Sequence, residues 1–346
     1  MSGLGVALGP VIGGAVVDGI DWHWIFWINV PVGLIVIPLA LRKLQESRGV
    51  ARRLDPPGVA LVSGGLLGVV YALVQAPGHG WTSPLVLGTL IGGLALLAGF
   101  VIWEQRSPQP MLPMRFFRSR VFTAGALAST AMYAALFGAL FLITQLLQAG
   151  TGATPVQAGL RTLPMAVMPL LLAPAGGVIT DRIGFRPLMI CGLALESVAL
   201  GWLAAVVTPD VPYGLLVAPL ALAGAGVAVF FAPLTTAMLS AVTPQEQGQA
   251  SGAATTIREL AVVFGVAVLG LVFAGHGGYA SRADFTAGFV PAMWLAAGLA
   301  AAGVLAAVAL PRAADRRRKR GPRALTDPPA RCDNDARDAV SAGAAG

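Results

Sequence analysis

Between Asp55 and Glu104 the chain carries no Asp, Glu, Lys or Arg. A water-soluble domain has to place charge on its surface at much shorter intervals, whereas the hydrocarbon core of a bilayer excludes it. Within hydrocarbon every backbone N–H and C=O must be satisfied inside the segment, so such a stretch has to be helical. It is also too long for one crossing, which takes roughly 20 residues. The cluster Pro77-Gly78-His79-Gly80-Trp81-Thr82-Ser83-Pro84 divides it into two spans, because clustered Gly and Pro punctuate a helix. The whole composition agrees: 56% of residues are apolar and 11% charged, against roughly 25% charged in soluble domains. The 44 glycines and 25 prolines fit membrane helices, which carry more of both than soluble helices do.

The apolar runs predict about ten spans on the length criterion. They cover residues 2–20, 24–41, the two halves of 56–103, then 121–148, 157–180, 187–207, 213–242, 249–274 and 286–310. A polar connector, Glu104 to Arg120, contains Pro108, Pro110 and Pro113. Asp181 to Arg186 is expected to be a very short loop, and the basic segment after Pro311 to be disordered.

Basic residues set the orientation. Arg42, Lys43, Arg48, Arg52 and Arg53, then Arg106, Arg115, Arg118 and Arg120, then Arg182 and Arg186 all fall in alternate connectors. The other connectors are nearly free of Lys and Arg, with Arg161 and Arg282 as exceptions. Both termini of the chain as written are therefore expected in the cytoplasm, and the protein in the cytoplasmic (inner) membrane. Trp22, Trp24, Trp27 and Trp81 fall near the outer interface, where indole rings concentrate.

The net charge of +7 follows this pattern, so it does not indicate nucleic-acid binding. Cys191 and Cys332 form no disulfide or metal framework. His23, His79 and His276 sit in separate connectors without an i, i+4 partner, which indicates neither a metal site nor a hydrolytic triad. Glycines such as Gly64 and Gly65 lack the following Lys-Ser/Thr of a phosphate loop. No enzyme chemistry and no cofactor are expected.

Three places are candidates for function. In the first span Gly5, Gly9 and Gly13 stand four apart beside Pro10 and Gly14, a face on which a second backbone can approach closely. Pro10 removes one donor and is expected to bend the helix. In the turn Gly177 to Arg186, the carboxylate of Asp181 beside Arg182 and Arg186 could latch two helix ends through charge-assisted hydrogen bonds, or be an ordinary charged turn. Among residues inside spans, Glu196 is nearly central, where a charge costs at least about 2.5 to 3.5 kcal/mol. It reads either as a proton-linked group or as a carboxyl that is hydrogen-bonded to a neighbouring helix or permanently protonated. Arg258 and Glu259 lie near the inner end of their span and could be structural or substrate-linked. Arg161 reads as an interface anchor. Met165, Met168, Met189 and the pairs Phe116/Phe117 and Phe230/Phe231 read as packing or lipid-facing residues, a lining that a multidrug cavity would share.

Gly177-x-x-x-Asp181-Arg182-x-Gly184-x-Arg186 resembles the inter-helix loop motif of the major facilitator superfamily. Gly5-x-x-x-Gly9-Pro10-x-x-Gly13-Gly14 resembles the antiporter motif in the fifth helix of its drug:proton antiporters. Trp22 to Gly33 is similar to the entry to the sixth helix in the fourteen-helix branch, with His23 where that branch usually has Arg. Gly248 to Gly265 resembles the penultimate helix, with Thr256 where relatives often carry Asn. The resemblance implies an all-α polytopic membrane protein of the major facilitator fold, its ten helices corresponding to the last ten of fourteen. Residues 1–53 would be the last two helices of the N-terminal half, 54–120 the extra central pair with its linker, 121–310 the C-terminal six-helix half and 311–346 a basic tail. The expected activity is proton-coupled efflux of drugs or other small lipophilic or cationic compounds, driven by the proton gradient. The expected partners are a small drug-like molecule, protons and the lipid bilayer, with no nucleic acid. The family's first four helices carry residues associated with proton coupling and have no counterpart here, so the expectation is an upstream start or a truncated gene. A non-transporting remnant or membrane interaction protein is the alternative.

Overall fold

The computed structural model describes residues 2–19, 21–43, 55–107, 110, 114–243 and 246–311. Eleven α-helices and no strand are found among them: α1 (Ser2–Gly19), α2 (Trp24–Trp27), α3 (Asn29–Lys43), α4 (Pro56–His79), α5 (Pro84–Arg106), α6 (Arg120–Gln145), α7 (Pro155–Ile183), α8 (Phe185–Val206), α9 (Gly214–Leu239), α10 (Gln247–His276) and α11 (Arg282–Val308). With α2 and α3 counted as one segment, eight stretches of the described residues are long and apolar enough to cross a membrane; α1 and α7 are outside that set. The tail beyond Pro311 lies outside the described residues, as do Arg48, Arg52 and Arg53.

The helix starts follow from side chains that can accept the first unsatisfied N–H groups. Asp55 accepts from Gly58 N at 3.1 Å and Ser83 from Val86 N at 3.4 Å, each followed at once by proline, which has no N–H to lose there. Thr154 and Gln157 form a reciprocal capping box at the start of α7. Two stops rest on glycines in the left-handed region, Gly80 at φ 82° and Gly184 at φ 85°. Consequently α4 runs through Pro77 to His79, and the break in the charge-free stretch is Gly80 to Ser83 alone. Likewise α7 continues through Asp181 and Arg182 to Ile183, so that Gly184 is the one residue between α7 and α8, where the sequence suggested a longer loop. Two elements close the remaining gaps: a 3-10 turn at Met114–Arg118 and a π-helical turn at Leu146–Gly150 that extends α6. The supposed polar connector starts later than expected, since Glu104 is a buried residue of α5.

Helices α6 to α11 pack together. α6 touches α10 and α11 most extensively and also meets α8 and α9; α8 packs on α9 and α11, and α7 on α9. Small residues make the crossings possible. A Cβ placed on Gly265 of α10 would collide with the backbone of Ala134 on α6, and one on Gly138 would come within 2.7 Å of Gly265 O. On the other side of this six-helix group, α1 lies on α7. The pair α4 and α5 interlocks through Gly65, Gly68 and Gly93, with a Cβ on Gly93 reaching 2.7 Å from Val69 N. Asp55 ties the end of that pair together by accepting from Trp103 Nε1 at 3.0 Å. α3 buries none of its described side chains: Leu34 is 68% exposed and Leu41 80%.

Candidate functional site

Glu196 is the twelfth residue of α8, about 16 Å along the axis from Phe185 at 1.5 Å per residue. It is fully buried, and neither carboxyl oxygen has a hydrogen-bond partner among the described residues. The burial comes from backbone contact. A Cβ on Gly226 of α9 would lie 2.7 Å from Gly192 O, 2.9 Å from Glu196 N and 3.3 Å from Glu196 Cβ. On the α11 side Ser197 Oγ donates to Ala297 O at 2.9 Å. α9 presents glycine at this point, and the hydroxyl of the adjacent Ser197 on α8 is used for Ala297 O.

α6 reaches the same level. A Cβ on Gly303 of α11 would sit 2.8 Å from both Ala131 Cβ on α6 and Leu193 Cδ2 on α8. Leu193 precedes Glu196 by about one turn of α8, so α6 and α11 meet α8 close to the level of the carboxyl. Tyr133 is 6% exposed and stacks on Phe137. The Arg258 guanidinium stands 6.0 Å from the Tyr133 ring centroid, within cation–π range. It also donates to Glu259 Oε1 through Nη2 at 2.8 Å and Nε at 3.2 Å.

Tyr133 and Arg258 face a cavity of about 180 Å³ between α6, α9 and α10. Its walls carry the hydroxyls of Ser129, Tyr133, Thr235, Ser251 and Thr255 among apolar residues that include Phe231 and Met238, and Arg258 is the one charged side chain lining it. Apolar walls with a few convergent polar groups are the general character of small-molecule sites. Glu196 is not among the residues that line the cavity.

Arg258 and Glu259, named from the sequence as candidates, thus form a pair beside Tyr133, while Glu196 stands on α8 without a hydrogen-bond partner among the described residues. Tyr133 itself went unnoticed. Its signal was that of a polar ring inside a charge-free run, legible only once α10 is placed beside it. Of the aromatic and methionine candidates, Met165, Met189, Phe116 and Phe230 are buried packing residues, whereas Phe231 is 46% exposed and lines the cavity.

The other two candidate regions stand apart from this cluster. In α1 the close approach occurs at Gly14, where a Cβ would lie 2.6 Å from Pro155 O of α7; Gly9 and Gly13 have nothing within 4 Å of that position. Among the described glycines of the expected face, the contact therefore falls beside Gly9 and Gly13, on Gly14. α1 is continuous through Pro10, and the surroundings of Gly5 and Pro10 lie outside the described residues. One turn on, Asp18 Oδ2 accepts from Val156 N at 3.1 Å. It thereby meets a free donor at the positive end of α7.

At the junction of α7 and α8, Gly177 has an open Cβ direction, Arg182 is exposed and Arg186 Nε is buried without a partner among the described residues. The side chain of Asp181 lies outside the described residues. Arg161 donates to Thr151 Oγ1 at 2.8 Å and stands 5.5 Å from the Tyr213 ring centroid, while Tyr213 donates back to Arg161 O at 3.0 Å. Burial pushes the Tyr213 hydroxyl up, and the neighbouring guanidinium opposes it with a smaller effect. Arg282, the other exception to the charge pattern, pairs with Asp210 at 3.1 Å.

Comparison with known proteins places this geometry in a family. The Major Facilitator Superfamily profile matches residues 125–338. The chain is 31% identical over 278 residues to the tetracenomycin C resistance and export protein of Streptomyces glaucescens, covering 80% of this chain and 52% of that protein. It is 33% identical over 264 residues to the multidrug export protein EmrB of Escherichia coli (strain K12), covering 75% and 51%. Against the multidrug resistance protein Stp of Mycobacterium tuberculosis it is 34% identical over 278 residues, covering 79% and 51%. The chain spans about half the length of these curated relatives. With a profile matching more than half of its residues and eight stretches of the described residues long and apolar enough to cross a membrane, the chain is a multi-pass membrane protein and belongs to the Major Facilitator Superfamily.

Proposed function

We propose that the chain serves proton-coupled efflux, exchanging protons for small lipophilic or cationic compounds across the cytoplasmic membrane. The observation that carries this is Glu196: a fully buried carboxyl in the middle of α8 with no hydrogen-bond partner among the described residues, packed against α9, which also lines a cavity of ligand-binding character. Arg258 is already neutralised by Glu259. The charge in this region that remains free to be compensated by a ligand is therefore that of ionised Glu196. A bound cation and an ionised Glu196 favour one another, while a proton on Glu196 cancels the charge that would hold the cation. Mutual exclusion of proton and cation is the condition for antiport.

The names of the relatives support the substrate class. Tetracenomycin C resistance and multidrug export describe proteins of which this chain matches half. Alternating access in such folds rocks one helical group against another around a midplane site. Glu196 at the middle of α8 and the cavity beside it fit that depth. In this reading the small-residue contacts of α1 and the α7–α8 junction belong to the moving surfaces. The proton gradient supplies the energy, and no cofactor takes part.

The test is accumulation of a fluorescent lipophilic cation in cells expressing the chain, alone and extended upstream in frame. Lower accumulation that is restored by a protonophore supports the proposal. Unchanged accumulation of every cationic or lipophilic probe with both chains rejects it and favours a membrane interaction role, for which the uncovered apolar surface of α3 would then be the candidate contact.

A further inference from the structure

The cavity between α6, α9 and α10 is lined by one organic cation of the chain itself, the guanidinium of Arg258. It stands 6.0 Å from the centroid of the Tyr133 ring, and that ring lines the same cavity. A cation at this distance over an aromatic face is attracted by the ring quadrupole. A guanidinium is planar, delocalised and more weakly hydrated than an ammonium, so it leaves water for such a face at smaller cost. The chemistry that holds Arg258 against Tyr133 is therefore the chemistry that holds a lipophilic cation.

The rest of the lining suits such a ligand. Phe231, Leu234 and Met238 give it an apolar enclosure, and Phe231 adds a second ring. The hydroxyl of Thr235 donates to Phe231 O at 3.3 Å, which leaves its oxygen lone pairs available to a positive charge. No carboxylate is found among the lining residues, so inside the cavity a cation is stabilised by ring faces and hydroxyl oxygens. Arg258 is held from outside. Its Nε and Nη2 donate to Glu259 Oε1 at 3.2 and 2.8 Å, and Glu259 is 63% exposed and absent from the lining. Neighbouring residues of a helix point about 100° apart. The flexible Arg258 stem can thus give up the Tyr133 face and keep its ion pair.

We propose that the face of Tyr133 is a cation subsite at which Arg258 is the resident competitor: the guanidinium occupies the ring while the cavity is empty, a delocalised lipophilic cation displaces it, and Glu259 keeps the displaced charge paired. The subsite selects for large, aromatic, weakly hydrated cations, because a ligand has to bind the ring better than a guanidinium does. This rests on the reading of the cavity as the site of an exported cation.

The experiment is equilibrium binding of tetraphenylphosphonium to the purified full chain in detergent, at one pH and one ionic strength, with a monodisperse elution profile required of every variant. The pair is removed as a whole, Arg258→Met with Glu259→Gln, so that the net charge is unchanged and a gain cannot come from a lost repulsion. The pair-free protein is expected to bind about two- to thirtyfold more tightly than wild type, the range of one cation–π contact. That gain is expected to persist when Tyr133→Phe, which keeps the ring, is added, and to vanish when Tyr133→Leu, which removes it, is added instead. Wild-type binding that removal of the pair leaves unchanged or weakens overturns this inference alone and leaves the efflux reading standing. A gain that survives Tyr133→Leu, or is lost in Tyr133→Phe, also overturns it, because the ring face is then not what the two cations share. Absence of binding by both the wild type and the pair-free protein overturns the cavity as a cation site, and this inference with it.

Discussion

Gly226→Ala adds one methyl group where α8 and α9 touch backbone to backbone. The new Cβ would stand 2.7 Å from Gly192 O and 2.9 Å from Glu196 N. Both obstacles are main chain in the middle of a helix, so no side chain can swing aside. Ordinary contact requires the two helices to part by about 0.7 Å, and a gap of that size already forfeits a quarter to a half of the local dispersion energy. Overpacking of this kind costs about 1 to 3 kcal/mol, which for a unit of this size corresponds to a melting temperature lower by roughly 2 to 12 °C. The assay is thermal unfolding of the purified chain in detergent. Gly192→Ala, whose Cβ meets Gly226 O at 2.7 Å, should cost a similar amount. The double variant should cost less than the sum, because the second methyl enters a gap that the first has opened. Gly298→Ala is the control: its Cβ direction is open, and relief of glycine's helix penalty should make it neutral or stabilising by about 0.5 to 1 kcal/mol. A Gly226→Ala protein that melts at or above the wild-type temperature, or a Gly298→Ala protein that falls as far, would refute the packing argument.

Other outcomes follow from the same contacts. Glu196→Met removes a buried carboxyl that has no hydrogen-bond partner among the described residues, so it should stabilise the bundle by about 1 to 3 kcal/mol while abolishing pH-dependent transport; thermal melting and proton-driven uptake into vesicles read the two effects. Asp55→Ala loses both the cap on Gly58 N and the bonds from Trp103, and should destabilise the α4–α5 pair by about 1 to 2 kcal/mol, detected as earlier proteolysis in that pair. Asp18→Ala leaves the start of α7 without its acceptor from α1, so the yield of a disulfide engineered between α1 and α7 should fall.

Much of this architecture was legible in the sequence, because the bilayer turns hydropathy into helix position directly. The charge-free run from Asp55 to Glu104 and the central place of Glu196 in its span are both readable from the sequence. The errors have a common cause. Helix ends were assigned from proline and charge, yet Gly80 and Gly184, the residues able to adopt a left-handed φ, set the stops; helix therefore continues through Pro77, Asp181 and Arg182. The Gly5, Gly9 and Gly13 spacing specifies a face but not a partner, and in this chain the contact falls on Gly14. Tyr133 was invisible for a different reason. Its significance lies in the registers of α6 and α10, and those are set by Gly138 and Gly265, small residues whose pairing no local pattern reveals.

The central claim, that a cation in the cavity and a proton on Glu196 exclude one another, is tested most directly by proton release. Tetraphenylphosphonium is added to the purified chain in weakly buffered detergent, and pH and bound cation are recorded together. The account predicts release approaching one proton per cation bound by the wild type and none in Glu196→Gln. Binding by the wild type without proton release, or release that persists undiminished in Glu196→Gln, would contradict it.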